Sequence, residues 1–106
     1  MSGYDLVIAI VNKGWSERVI KIFTSTGAKG ATVIKGRGSG AFTSLLGIPI
    51  EPEKEIIFSV MPESISNTAM TAALDELNLK KPGTGIAIVF PLKAVVGLPD
   101  MDSYKD

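Results

Sequence analysis

Two glycine-rich turns hold the residues best suited to binding a ligand, Gly36-Arg37-Gly38 and Gly83-Thr84-Gly85. Glycine has no Cβ, so consecutive backbone N–H groups can approach a phosphate or carboxylate closely. The Arg37 guanidinium can add two parallel hydrogen bonds to such an anion. Either turn alone is also what an ordinary chain reversal needs. Together they predict an anion-binding site built from two remote segments.

Composition excludes several kinds of chemistry. The chain contains no cysteine and no histidine, which excludes disulfides, thiolate nucleophiles, Ser-His-Asp triads and thiolate or imidazole metal sites. Lys+Arg 11 balances Asp+Glu 11, so the electrostatic attraction behind nucleic-acid binding is missing. The apolar run Leu6–Val11 is too short for a signal or membrane-spanning segment. We therefore expect a cytoplasmic protein with no nucleic-acid partner, no metal site and no membrane insertion.

The remaining catalytic candidates are carboxylates. Glu51, Glu53 and Glu55 alternate along the approach to a strand, and carboxylates on one face can exchange protons or bind Mg²⁺. Charges that flank a strand more often protect a sheet edge. We therefore predict a binding protein rather than an enzyme.

Hydrophobic periodicity indicates the elements that must position the two turns. Leu6–Val11 and Ile86–Leu92 are near-continuous apolar runs typical of central strands, and Ala31–Ile34 and Glu55–Met61 are shorter strand patterns. Apolar residues at helical spacing predict helices over about 16–26, capped by Ser16 and closed by Gly27, and about 66–79, capped by Ser64 or Ser66. Val95 and Val96 are candidates to extend the last strand.

The resulting order is β-α-β, a long loop, then β-α-β. This order is typical of a ferredoxin-like α+β sandwich, with a four-stranded antiparallel sheet and two helices on one face. The other face of the sheet is then apolar and uncovered, so oligomerisation through that face is expected. With 106 residues, the whole chain 1–106 is expected to form one domain.

A loop at about 37–53 separates the two halves and is predicted to be mobile. It shows no sustained helical or strand period, yet Phe42 to Ile50 is rich in apolar residues. Part of it is expected either to pack on its own domain or to meet a partner.

The chain resembles the nitrogen-regulatory PII signalling family over nearly its whole length. The resemblance is carried by Gly30-Ala31-Thr32-Val33, Gly36-Arg37-Gly38 and Lys81-Pro82-Gly83-Thr84-Gly85-Ile86-Ala87. It implies a homotrimer that binds an adenine nucleotide between subunits. It also implies a loop after the second strand that docks on a target enzyme or membrane transporter. Thr32 matches a position on the adenine side, where its hydroxyl can hydrogen-bond a base edge.

The sequence departs from the family mainly where phosphates bind. The family's lysine after the second turn is Ile86 here, and its paired arginines fall at Gly97 and Pro99. Phe58 replaces an adenine-side glutamate, and Gly40 replaces a glutamine that helps to hold magnesium and 2-oxoglutarate. The loop has no tyrosine for the family's uridylylation switch. The chain is thus interpreted as a divergent PII-like protein.

With fewer fixed cations, AMP, ADP or another small anion becomes more plausible than ATP. No cofactor is expected to be required. The cations that could partly replace those missing are Lys29, Lys35, Arg37, Lys80 and Lys81. The predicted ligand-binding residues are Thr32, Lys35, Gly36, Arg37, Gly38, Gly83, Thr84 and Gly85.

Two alternatives without nucleotide sensing remain open. One is a trimeric ferredoxin-like protein related to the divalent-cation-tolerance group, although the lack of His and Cys weakens a soft-metal role. The other is an interaction module that uses the apolar segment Phe42 to Ile50 as a docking arm and binds no small ligand.

Overall fold

The computed structural model describes residues 3–35, 44–45, 48–49, 54–81 and 85–97. Within them the chain forms six strands and two helices in an α+β arrangement. The strands are β1 (Tyr4–Asn12), β2 (Thr32–Lys35), β3 (Ser44–Leu45), β4 (Ile48–Pro49), β5 (Lys54–Pro62) and β6 (Gly85–Leu92). The helices are α1 (Ser16–Ser25) and α2 (Glu63–Glu76).

Four strands form one antiparallel sheet in the order β2-β5-β1-β6. The register aligns Lys35 with Glu55, Glu55 with Val11, and Val11 with Gly85. The ends of β1 and β2 and the starts of β5 and β6 therefore lie at the same end of the sheet. The segments that follow β2 and precede β6 both leave from this end.

One face of the sheet packs against both helices and forms the main core. Alternate strand residues face opposite sides, so Val7, Ala9 and Val11 of β1 share a face with Ile57 and Met61 of β5. The helix residues in the same cluster are Val19, Ile22, Phe23, Ala69, Ala73 and Leu77. All of these side chains are almost completely buried.

The opposite face of the sheet, which we call the second face, carries a separate apolar cluster. Ile8, Ile10 and Ile56 are buried at its centre, and the half-buried Leu6, Ile34, Phe58 and Phe90 surround them. Among the described residues, this cluster contains no helix residue. Ile86, also on this face by register, is 40% exposed. The ferredoxin-like fold with two helices on one face is confirmed.

Three details of the predicted strands are wrong. β6 lies at an edge of the sheet rather than in its centre, which suits Pro91 because an edge strand can do without one N–H donor. β6 ends at Leu92, so Val95 and Val96 do not extend it. The predicted loop also contains the short antiparallel pair β3–β4, which is too brief to produce a sequence period.

The predicted helix ends are partly correct. Gly27 closes α1 with φ +114, and the N–H groups of Gly27 and Ala28 donate to the carbonyls of Thr24 and Phe23. The predicted serine caps are wrong, because Ser16 is the first residue of α1 and α2 begins at Glu63. Neither helix has a side-chain cap at its own N-cap residue. In the described ranges, neither helix has the length and apolar character needed to cross a membrane.

Candidate ligand site at one end of the sheet

The described members of the predicted site sit at the end of the sheet where β2 stops and β6 starts. Lys35 is the last residue of β2, and Gly85 is the first residue of β6. These strands are the two edges of the sheet, with β5 and β1 between them. Three spacings of about 4.8 Å separate Lys35 from Gly85 by about 14 Å. Within one chain, the described ends of the two predicted turns therefore do not form one crevice.

Thr32 and Lys35 point to opposite faces of β2. Thr32 lies opposite Phe58 in the register, on the second face, and its side chain is exposed while Phe58 is half-buried. Lys35 lies opposite Glu55, on the helix-covered face, and is also exposed. A ligand touching both residues would have to wrap around the edge of the sheet at β2. The aromatic ring beside Thr32 has no charge and cannot replace the family's glutamate as a hydrogen-bond acceptor.

Gly85 is required by the close packing of β6 against β1. Its φ is +147, and a Cβ at this position would lie 2.7 Å from the carbonyl oxygen of Ile10 and 3.3 Å from a methyl group of Val11. Such a distance to a backbone atom is a steric clash. The close approach of β6 to the end of β1 therefore explains this glycine without a ligand.

Glu55 is a buried carboxylate at the same end of the sheet. Its side chain is 5% exposed, and its Oε1 accepts a hydrogen bond from the Ser16 N–H at 3.1 Å. Burial alone would raise the pKa of Glu55, but hydrogen bonds from the Ser16 hydroxyl and from the Gly14 and Ser16 backbone outweigh it. The nearby positive charge of Lys35 adds to them, so the pKa lies below its ordinary value. Glu55, a residue of β5, thus caps the N-terminus of α1 and is ionised at neutral pH.

Four further residues at this end, which form two side-chain contacts, were not identified from the sequence as functional candidates. The Lys54 ammonium donates to the side-chain oxygen of Asn12 at 2.7 Å. The Arg18 guanidinium lies 5.1 Å from the ring centre of Trp15, which is a cation–π distance. The sequence does offer one indication that Glu55 is buried. Alternate residues of a strand face the same side, so Glu55 shares a face with the apolar residues Ile57 and Met61.

The other predicted ligand residues, Gly36, Arg37, Gly38, Gly83 and Thr84, lie outside the described residues. The same is true of Glu51, Glu53 and most of the predicted mobile loop.

A cleft of about 710 Å³ is lined by residues of α1 and by Glu76 at the end of α2. It contains both acidic and basic side chains, and none of the predicted ligand residues lines it. Its lining residues are Glu17, Arg18, Ile20, Lys21, Ile22, Ser25 and Glu76. The cleft is therefore a rival location for a ligand that any binding experiment must exclude.

Comparison with solved structures identifies the fold. A PII-like signalling protein from Thermus thermophilus superposes with a TM-score of 0.63 at 19% identity, covering 84% of this chain and 85% of that one. CPII from Thiomonas intermedia, bound to ADP, AMP and acetate, gives 0.61 at 19% identity over 91% and 90%. PII from Arabidopsis thaliana, bound to citrate, gives 0.63 at 21% identity over 92% and 82%.

No protein-family model and no curated protein matches the sequence. The superpositions confirm the resemblance at the level of the fold, which this chain shares with PII-like signalling proteins. Related CPII structures contain ADP with bicarbonate, with or without AMP. At these identities the fold is established, while the ligand of this chain is a separate question.

Proposed function

We propose that this chain is a divergent PII-like signal-transduction protein. Its single domain, 1–106, binds an adenine nucleotide or a similar small anion between the subunits of a homotrimer. Binding changes the loop at about 37–53, which signals to a target enzyme or membrane transporter in the cytoplasm. The protein is not an enzyme in this proposal; Glu55, the one described residue among the three candidate carboxylates, accepts a hydrogen bond at the start of α1 and has a structural role.

One observation carries the proposal. One glycine turn follows β2 and the other precedes β6, and these two strand ends lie at the same end of the sheet. The chain shares its fold with CPII, which has been solved with ADP and AMP bound. In one chain the two turns leave from opposite edges, about 14 Å apart. A cyclic assembly can bring the β2 edge of one subunit beside the β6 edge of the next, so a site between subunits suits this geometry better than a site within one chain. The second face, which no described helix covers and on which Ile86 is 40% exposed, supplies an apolar surface for that assembly.

The ligand is expected to carry modest charge. The sequence has Ile86, Gly97 and Pro99 where the family has a lysine and two arginines, so a triphosphate would be poorly neutralised. AMP or ADP is therefore expected to bind more tightly than ATP. Because CPII binds bicarbonate or acetate together with ADP, a small carboxylate is a reasonable second ligand.

Isothermal titration calorimetry with AMP, ADP, ATP, cyclic dinucleotides and bicarbonate tests the proposal. We expect saturable heat from AMP or ADP. Arg37→Ala should weaken binding by about tenfold or more, as expected for loss of a charge-assisted contact worth about 1.5–3 kcal/mol. Lys21→Ala is the matched control, because it also removes one cation but lies in the cleft along α1.

The outcomes are distinct. If Lys21→Ala abolishes binding and Arg37→Ala does not, the ligand occupies the cleft and the proposed site is wrong. If no nucleotide gives heat, the sensor proposal fails and an interaction module without a small ligand replaces it.

A further inference from the structure

The first two residues of β5 both reach back to the turn between β1 and α1, which we call the β1–α1 turn (residues 12–16). Lys54 donates from its ammonium to the Asn12 side chain at 2.7 Å, and Glu55 accepts from the Ser16 N–H at 3.1 Å. Consecutive strand residues point to opposite faces. Lys54 therefore holds the turn from the second face of the sheet, and Glu55 holds it from the helix-covered face.

The start of α1 depends on this contact. The N-cap residue, Trp15, makes no side-chain hydrogen bond to the helix. Glu55 supplies what is missing, since its Oε1 accepts a hydrogen bond from the Ser16 N–H at 3.1 Å. A cap normally comes from the residue that precedes the helix, whereas this one comes from 39 residues further along the chain.

Glu55 is also connected to the other side of the predicted loop. Lys35, at the end of β2, is its register partner, and the charge of Lys35 acts on the Glu55 carboxylate. Glu55 is thus hydrogen-bonded to the turn through its carboxylate and paired through its backbone with the end of β2, the strand that precedes residues 36–53. If that strand end shifts, the turn must follow, or Glu55 must remain buried without its donors, which is energetically costly.

We propose that Lys54 and Glu55 are positioning residues that make the β1–α1 turn move together with the strand ends at Lys35 and Lys54. An event acting on residues 36–53 is then transmitted to the first turn of α1, where Trp15 and Arg18 stack. The role in signalling rests on the proposed function, but the mechanical coupling does not. Trp15 is the only tryptophan in the chain, so its fluorescence reports on this turn alone.

Hydrogen–deuterium exchange on the full chain without ligand tests the coupling. Asn12→Ala, at the last residue of β1, removes the side-chain acceptor of Lys54. We expect exchange to accelerate in residues 32–35 and 54–57 as well as in the turn, by about fivefold, the factor that corresponds to one net hydrogen bond. Glu55→Gln, which removes the charge but keeps the side-chain shape, should act in the same direction.

Glu63→Gln is the matched control, because Glu63 is an exposed acid in the first turn of the other helix. It should leave the exchange of residues 12–16 and 32–35 unchanged. If Asn12→Ala accelerates exchange in residues 12–18 and in the directly paired residues 54–57 but not in residues 32–35, the change does not reach the end of β2 and the proposal is overturned.

Trp15 emission during titration with ADP tests the functional part. We expect emission to change along the same isotherm as the calorimetric heat, and Glu55→Gln to diminish the emission change while heat is still released. Heat without any change in Trp15 emission in the unaltered protein would overturn the proposal. If ADP gives no heat, the proposed ligand is wrong, and the ligand-free exchange comparison decides the coupling by itself.

Discussion

The Glu55 carboxylate is held ionised by donors that come from another part of the chain, and this makes its contribution dependent on pH. Its pKa in the folded state lies below the ordinary value of 4.5, because hydrogen bonds outweigh the effect of burial. Linkage then requires Glu55 to stabilise the fold fully above its unfolded pKa. This stabilisation is lost as the pH falls through the lowered folded pKa.

We therefore predict that the free energy of unfolding of Glu55→Gln falls below that of the unaltered protein at pH 7, and that the difference shrinks below pH 4.5. Urea unfolding at a series of pH values measures both. Glu17→Gln, an exposed acid in the first turn of α1, is the control and should show little pH dependence. A difference independent of pH would mean that the charge of Glu55 is not what stabilises the turn.

Gly85 gives a second test at the residue scale. We predict that Gly85→Ala destabilises the protein by at least about 2 kcal/mol, because the new Cβ is both strained and forced against the backbone. The clash would be with the Ile10 carbonyl, only 2.7 Å away. Thermal and urea unfolding measure this effect.

Gly30→Ala is the control for that substitution, since a Cβ at Gly30 meets nothing within 4 Å. It should be neutral or slightly stabilising, because alanine reduces the entropy of the unfolded chain. Equal destabilisation by both variants would contradict the packing explanation of Gly85.

At the scale of elements, the sequence predicts what depends on local pattern and misses what depends on contacts between elements. Periodicity located all four strands of the main sheet and both helices to within a few residues. It could not reveal that Glu55 caps α1, because the two are 39 residues apart. It also gave β6 a central position, since apolar runs show burial but not which strand lies beside which.

Ser66 shows the same limit. Its residue type favoured a helix cap, but it lies inside α2, 1% exposed, and its hydroxyl donates to the buried carboxylate of Asp5. This contact joins the first turn of α2 to the start of β1. The backbone does so too, because the Glu63 N–H donates to the Gly3 carbonyl at 2.9 Å.

We predict that Ser66→Ala destabilises the fold by about 1–3 kcal/mol, because the Asp5 carboxylate would lose a donor in a buried position. Ser64→Ala is the matched control, since Ser64 is exposed on the same turn and should change stability little. Chemical unfolding of the two variants under identical conditions gives the comparison. If the two variants lose the same free energy of unfolding, the loss reflects helix propensity rather than the contact with Asp5.

At the scale of the whole molecule, both the fold and the candidate site depend on what covers the second face. The sequence correctly indicated that both faces of the sheet are apolar, because the strands have apolar residues at consecutive positions. It could not show that Lys35 and Gly85 lie at opposite edges, which is a property of strand order. That separation makes the proposed ligand site dependent on a neighbouring subunit.

Two exposed apolar side chains allow a matched test of that assembly. Ile86 is 40% exposed on the second face, and Leu74 is 36% exposed on α2. We predict that the unaltered protein sediments at three times the 11.2 kDa of one chain and that Ile86→Glu dissociates it, since a buried unpaired carboxylate opposes association. Leu74→Glu places the same charge on the helix layer and should leave the mass unchanged. Analytical ultracentrifugation measures the mass, and parallel ADP calorimetry tests the site through retained binding only, because a carboxylate at residue 86, beside the predicted ligand residue Gly85, would also repel ADP directly. Retention of full ADP affinity by a monomeric Ile86→Glu would place the ligand within one chain and refute the inter-subunit site.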